Sequence, residues 1–298
     1  MRSVDVLLTG ILTAVAGLIV PVGSARPGFA SSQTRQPPAA FAGYAELPGV
    51  HLWYVDSGGG GVPIVLLHAN TGNADSWEPN APGLAAEGYR VIAFDRRGWG
   101  RSQADATTGP QPGTIAEDLD ALVDYLGLDR FHLVGIAGGG FVGYDYALWR
   151  PERLRSMVVA ASGGAIEDAE LAALRARTQL PGFSSWPPEF REVSPGYMAT
   201  NPEGLDRWLD INHHSQQEGA PSQPLRTEIT FAKLETIALP ILLMPGDQDL
   251  QTPPWVMRRQ AAHIPNVEFV VVPEAAHSLN WEQPDAFNRE VLNFIARY

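Results

Sequence analysis

Three places in the sequence carry residues able to act together on one bond. At Gly135-Ile136-Ala137-Gly138-Gly139, glycines flank a central residue between an apolar run, Phe131 to Val134, and a helix-forming stretch from Phe141. That is the strand–turn–helix setting of a nucleophile elbow, G-x-S-x-G. The turn is so tight that side chains two positions before and after its centre would collide with neighbouring backbone. Its central residue is driven into an uncommon φ/ψ region above a helix N-terminus, where the dipole favours developing negative charge. A hydroxyl there would be aimed at substrate; residue 137 is alanine, which has the position and lacks the oxygen. A serine hydroxyl at neutral pH is a poor nucleophile, so a histidine must take its proton and later return it to the leaving group. His277, in the loop after the apolar run Val267 to Val272, suits that role. A carboxylate must then hold the imidazole in one tautomer and stabilise its cation. Asp247 and Asp249, two residues apart after Pro240 to Met244, are the candidates.

Composition removes several other chemistries. The chain has no cysteine, which excludes disulfide frameworks, thiolate metal sites and a cysteine nucleophile. Of its seven histidines only His213 and His214 are close in sequence, and adjacent side chains point in different directions, a poor arrangement for chelation. They are expected at the surface or lining a cap. A formal net charge of −12, with no run of lysine or arginine longer than two, argues against a nucleic-acid or anionic-membrane surface. Gly-rich phosphate loops and metal clusters are absent from the sequence, so no cofactor and no metal are expected.

The elements that must position these residues alternate. Val50 to Val55 reads as a strand and Pro63 to Leu67 as one buried on both faces. A helix is predicted over Trp77 to Glu87 and a strand over Arg90 to Phe94. Thr114 to Leu126 places Ile115, Leu119, Leu122, Val123 and Leu126 on one helical stripe, with Thr114 as N-cap and Gly127 as stop. Phe131 to Val134, Leu154 to Ala160, Pro240 to Met244 and Val267 to Val272 complete the strands. Helices are predicted over Phe141 to Trp149, Trp255 to Ala262 and Pro284 to Arg297. This rhythm predicts an α/β fold, a mostly parallel central sheet with helices on both faces. It breaks over 163–236, a helix-leaning stretch rich in proline and aromatic residues that reads as a helical cap inserted between core segments 44–162 and 237–298.

Five motifs in order give the chain a resemblance to the α/β-hydrolase family, covering about residues 44–298. Besides the elbow, Asp95-Arg96-Arg97-Gly98-Trp99-Gly100-Arg101-Ser102 resembles the family's D-x-R-G-x-G-x-S turn. Leu67-His68-Ala69-Asn70 resembles its oxyanion loop, with alanine in place of a glycine. Gly246-Asp247-Gln248-Asp249 matches its acid turn, and His277 to Pro284 its His-x4-Glu-x-Pro ending. The resemblance implies a triad of residue 137, Asp249 rather than Asp247, and His277. It also implies an oxyanion hole from the backbone amides of Gly138 and Asn70. His68 is expected beneath the oxyanion loop, and His132 and His263 to be structural.

Alanine at 137 has two readings. One is replacement of a serine in an otherwise complete hydrolase; the other is a naturally silent relative that binds a ligand, or uses His277 alone. The expected activity is a serine esterase or lactonase, inactive as written, with a carbon–carbon bond hydrolase as the alternative chemistry. The cap aromatics Phe183, Trp186, Tyr197 and Trp208, with Met198, suggest a bulky apolar small-molecule ester or lactone. At the N-terminus, Arg2, the apolar run Val6 to Val20 and small residues before Ala25 and Ala30 read as a signal peptide over 1–30. The run is shorter than the ~20 residues a spanning helix needs. Export without stable membrane insertion is therefore expected, with 31–43 a flexible mature N-terminus.

Overall fold

The computed structural model describes residues 40–298, so the expected signal peptide lies outside the described residues, as does most of 31–43. Where 31–43 enters the description it is strand rather than flexible segment. β1 (Phe41–Leu47) pairs antiparallel with β2 (Val50–Asp56) from Phe41 opposite Asp56 onward, and the Phe41 ring stacks on Tyr54 with centroids 4.9 Å apart.

The remaining elements, in chain order, are β3 (Pro63–Leu67), α1 (Ala81–Ala86), β4 (Arg90–Phe94), β5 (Gln103–Ala104), α2 (Ile115–Tyr125), β6 (Phe131–Ile136), α3 (Gly138–Trp149) and β7 (Leu154–Ala160). The inserted segment follows with α4 (Ala169–Thr178), α5 (Pro188–Glu192), α6 (Pro195–Thr200), α7 (Pro202–His213) and α8 (Phe231–Leu234). The chain closes with β8 (Ile241–Met244), α9 (Pro254–Ala261), β9 (Val267–Phe269), α10 (Leu279–Glu282) and α11 (Pro284–Ile295). The sheet order is β1-β2-β4-β3-β6-β7-β8-β9, with β5 beside β2. β3, β4, β6, β7, β8 and β9 run parallel, and β2 is antiparallel to its neighbours β1 and β4.

Strands buried on both faces divide their side chains by parity. Val65 and Leu67 of β3 join one apolar core with α2, α3 and α9. Ile64 and Leu66 join a second, with α1 and α11. α2 ends where its sequence says: the Thr114 hydroxyl accepts the Glu117 amide at 3.2 Å, and Gly127 takes φ +65°.

Two predicted elements differ. The helix predicted over Trp77 to Glu87 is a 3-10 turn, Ala74 to Trp77, then a separate α1. Asn80 divides them, since its buried side chain reaches the Asn280 carbonyl at 3.0 Å and Asn288 at 3.2 Å instead of facing solvent from a continuous helix. The last strand stops at Phe269; beyond it, only Val272 pairs again, with Gly246.

The cap leaves after β7 as expected, but its end comes earlier than 236. Ile229, Phe231, Leu234, Ile237 and Leu239 pack into the main core. Ile166 pairs with Ile229 where the insertion begins and ends.

Candidate active site

The site stands at the carboxyl ends of β3, β6, β7 and β8. Ala137, between β6 and α3, has φ 49° and ψ −113°, a positive-φ conformation rare for a residue with a side chain. Its surroundings over-determine that geometry. The Ala137 amide donates to the Ala160 carbonyl at 2.9 Å, and its own carbonyl accepts from the Gly140 amide at 3.0 Å and the Ser162 hydroxyl at 2.7 Å. The flanking glycines are required by close approach. A Cβ on Gly135 would meet the Gly139 carbonyl, and one on Gly139 would land on the Leu67 carbonyl oxygen. The turn is thus held in place without help from whatever side chain occupies its centre.

Asp249 follows β8 and is buried. Its Oδ1 accepts the amides of Gln251 and Thr252, both at 2.8 Å, leaving Oδ2 to accept from Nδ1 of His277 at 2.8 Å. Asp247 is exposed and meets only the Ala275 amide, at 3.4 Å. Of the two acid candidates, Asp249 alone reaches the imidazole. Burial of His277 disfavours its cation, but the adjacent Asp249 carboxylate, helped by Glu192 and Glu282, outweighs that and holds its pKa above the ordinary histidine value. With Nδ1–H given to Asp249, Nε2 of the neutral ring carries the lone pair. The Gln251 side-chain amide lies 2.8 Å from it and donates there.

The oxyanion loop is built from below. Arg96, buried, stacks on Trp99 and donates to the Ala69 carbonyl at 3.1 Å and Asn70 Oδ1 at 3.0 Å, while Trp99 Nε1 donates to the Asn70 carbonyl at 2.8 Å. His68 lies under the same loop, accepting from the Arg96 amide at 3.1 Å and donating from Nδ1 to the Ala69 carbonyl at 2.7 Å. Burial and the Arg96 charge keep it neutral. The Asn70 and Gly138 amides meet no acceptor among the described residues, and both residues line the cavity that also holds Ala137 and His277.

That cavity encloses about 370 Å³. Phe183 lines it. Trp186 and Met198 line a neighbouring pocket of about 440 Å³, and Tyr197 and Trp208 line neither; Trp208 borders a separate small cavity that also touches His277. Trp208 packs with Val193, Ile211 and Trp281, donating from Nε1 to the Ser278 hydroxyl at 3.1 Å, and Tyr197 packs against the same group. The expectation of an apolar lid therefore holds for fewer aromatics than the sequence suggested. Sequence reasoning passed over polar residues that line the cavity: Arg175, Arg191, Glu192 and Gln251. Glu192, buried on α5, accepts from the Thr71 hydroxyl at 2.6 Å. Glu282, whose spacing from His277 was noticed, accepts from the Ala276 amide at 3.0 Å and the Ser194 amide at 2.8 Å, tying the histidine loop to the cap.

The other histidines are elsewhere. His132 meets the Ser156 hydroxyl at 2.8 Å, and His263 stacks on Phe231 and meets Glu235 at 2.7 Å. Among the described residues no group of three or more metal-binding side chains converges, and no helix is long and apolar enough to cross a membrane.

Comparison with known proteins gives the same architecture. "Putative carbamate hydrolase RutD" of Caulobacter sp. (strain K31) shares 31% identity over 248 residues, 78% of this chain and 90% of that one. A 2-hydroxy-6-oxononadienedioate/2-hydroxy-6-oxononatrienedioate hydrolase of Paraburkholderia phymatum shares 28% over 272 residues, 83% and 92% of the two chains. Among solved structures, the enol-lactonase from Burkholderia xenovorans LB400 superposes with a TM-score of 0.70 at 25% identity, covering 85% of this chain and 99% of that one. These relatives are hydrolases, and a family model described as "Alpha/beta hydrolase family" matches residues 64–290. The chain belongs to the α/β-hydrolase family.

Proposed function

We propose that this site is built to cleave a small carboxylic ester or lactone with a serine at position 137, and that the alanine form binds such a substrate without turning it over. The observation that carries this reading is convergence. The Asp249–His277 pair and two acceptor-free amides open onto one cavity around a correctly strained elbow. Loss of function followed by drift would not readily preserve all of them.

With serine at 137, Oγ would attack the carbonyl carbon while its proton passes to His277 Nε2. The carbonyl oxygen would become an oxyanion facing the Gly138 and Asn70 amides. Collapse would expel the alcohol, which takes the proton from His277. Water, deprotonated by the same nitrogen, would then release the acid and restore the serine. The same groups serve a carbon–carbon hydrolase, in which the leaving group is a carbanion equivalent protonated at carbon.

Ala137→Ser is expected to hydrolyse activated esters at a rate at least about a thousandfold above the alanine chain, since removing a triad nucleophile costs on the order of 10⁶ in kcat. A serine variant that folds and binds ester yet stays silent on esters and lactones alike would sink the hydrolase reading. The second reading, a ligand-binding protein, is favoured by one contact. Gln251 already occupies the Nε2 lone pair that a nucleophile would use, so the site is satisfied as it stands.

A further inference from the structure

Arginines in this acidic chain are mostly spoken for. Arg90, Arg97, Arg101, Arg153 and Arg226, among others, each have a carboxylate within 4 Å. Two guanidiniums in the cavity above Ala137 do not. Arg175 on α4 makes no side-chain hydrogen bond or ion pair among the described residues. Arg191 on α5 donates only from Nε, to the Trp186 carbonyl at 3.1 Å.

Arg175 is seated rather than trailing into water. Its Nη2 lies where a Cβ of residue 163 would be, and residue 163 is glycine, so the chain leaves room for the guanidinium against its backbone. Burial there lowers the Arg175 pKa, partly offset by the charge of Asp249. A partly dehydrated guanidinium with its fork unfilled is a strong site for a planar carboxylate.

Strand order fixes where that carboxylate would sit. The loop after β3 carries Asn70 and Thr71, the latter bonded to Glu192. β6 carries Ala137, and β7 leads to Gly163. Glu192 and Arg175 therefore flank the elbow on opposite sides. The reacting carbonyl would lie between them, with Arg175 displaced toward β7 by about one strand spacing, ~5 Å. Arg191 borders both this cavity and the neighbouring pocket.

We infer that the cavity selects an ester or lactone bearing a free carboxylate, which Arg175 clamps while the carbonyl faces Asn70 and Gly138. The inference rests on the reading of the site as an acyl-hydrolase pocket and narrows its substrate class. It replaces the bulky apolar substrate suggested by the cap's aromatic content.

The probes are the monomethyl esters of succinate, glutarate and adipate, each compared with the neutral isostere whose terminal carboxylate is a carboxamide. Binding to the full chain with Ala137 is read by calorimetry. The best-fitting monoester should bind about tenfold or more tightly than its carboxamide. Arg175→Gln should erase that preference and Arg175→Lys keep part of it. Arg177→Gln, an exposed neighbour on the same helix, should leave it intact and controls for effects on the cap. Equal binding of acid and amide, no monoester binding up to about 10 mM, or a preference that survives Arg175→Gln would overturn the inference. The two proposals fail separately. An active Ala137→Ser enzyme without anion preference leaves the hydrolase reading standing, whereas a silent serine variant whose alanine parent still prefers the carboxylate leaves Arg175 standing.

Discussion

The two nitrogens of His277 carry different obligations, and the residues around them show how the site is poised. Nδ1 is committed to Asp249 and Nε2 is met by Gln251, so both positions of the ring are filled. Because Asp249, with Glu192 and Glu282, outweighs burial, the folded pKa lies above 6.5, and the linkage sign follows. The pair's contribution to stability is present below pH 6.5 and lost as pH rises through the folded value. Asp249→Asn removes the largest raising influence and leaves burial opposed only by the charges of Glu192 and Glu282, so the His277 pKa should fall. An NMR titration of the imidazole reads this directly; an unmoved or raised value in the variant would contradict the assignment of Asp249 as its electrostatic partner. His277 and the Asp247–Asp249 choice were legible in the sequence because motif spacing encodes them. Arg175, Glu192 and Gln251 were not. Their importance lies in what they approach, or fail to pair with: Gln251 meets His277 26 positions away and Glu192 meets Thr71 121 positions away, and no local pattern records that.

At the scale of elements, the strand–turn–helix junction is where sequence and structure agree most closely. Backbone approach at Gly135 and Gly139 dictates residue type without reference to any ligand. Gly139→Ala would push a methyl into the Leu67 carbonyl, so β3 and the start of α3 must separate, with an expected cost of about 1–3 kcal/mol or more. Gly196, on α6, has open space where its Cβ would go. Gly196→Ala should be neutral, or stabilising by up to about 1 kcal/mol through helix propensity. Chemical denaturation of the two variants checks the contrast; equal effects would mean that the elbow is looser than its contacts imply. Elsewhere periodicity was a partial guide. It found α2 to within a residue or two, because cap, stripe and stop all agree there. It ran one helix through Asn80, whose reason for breaking the helix is a bond to residues 200 positions away. It also assigned Ile229 to Thr236 to the cap, since apolar residues do not announce which core they will join.

Across the whole molecule, the parallel sheet buries polar groups far from the site, and these set its response to acid. His132, inside β6, bonds to Ser156 of β7. Burial, with the charges of Arg155 and Arg130 adding to it, lowers its pKa to about 4. As pH falls below 6.5 the unfolded chain takes a proton that the folded protein refuses, so stability drops until about pH 4, where both states hold it. His68 acts in the same direction. Asp118, Asp145 and Glu282, raised chiefly by burial, act in the opposite one: each keeps a proton in the folded state that the unfolded chain has lost. A stability profile of the wild type alone would mix these contributions, so the informative quantity is a difference. His132→Gln retains a polar partner for Ser156 and does not titrate. Between pH 7 and 4.5 the wild type should lose about 1–3 kcal/mol relative to this variant, whatever their offset at neutral pH. Urea unfolding at the two pH values measures it. Parallel profiles would show that His132 is protonated in the folded sheet, and that the acid sensitivity of this hydrolase fold resides at other groups.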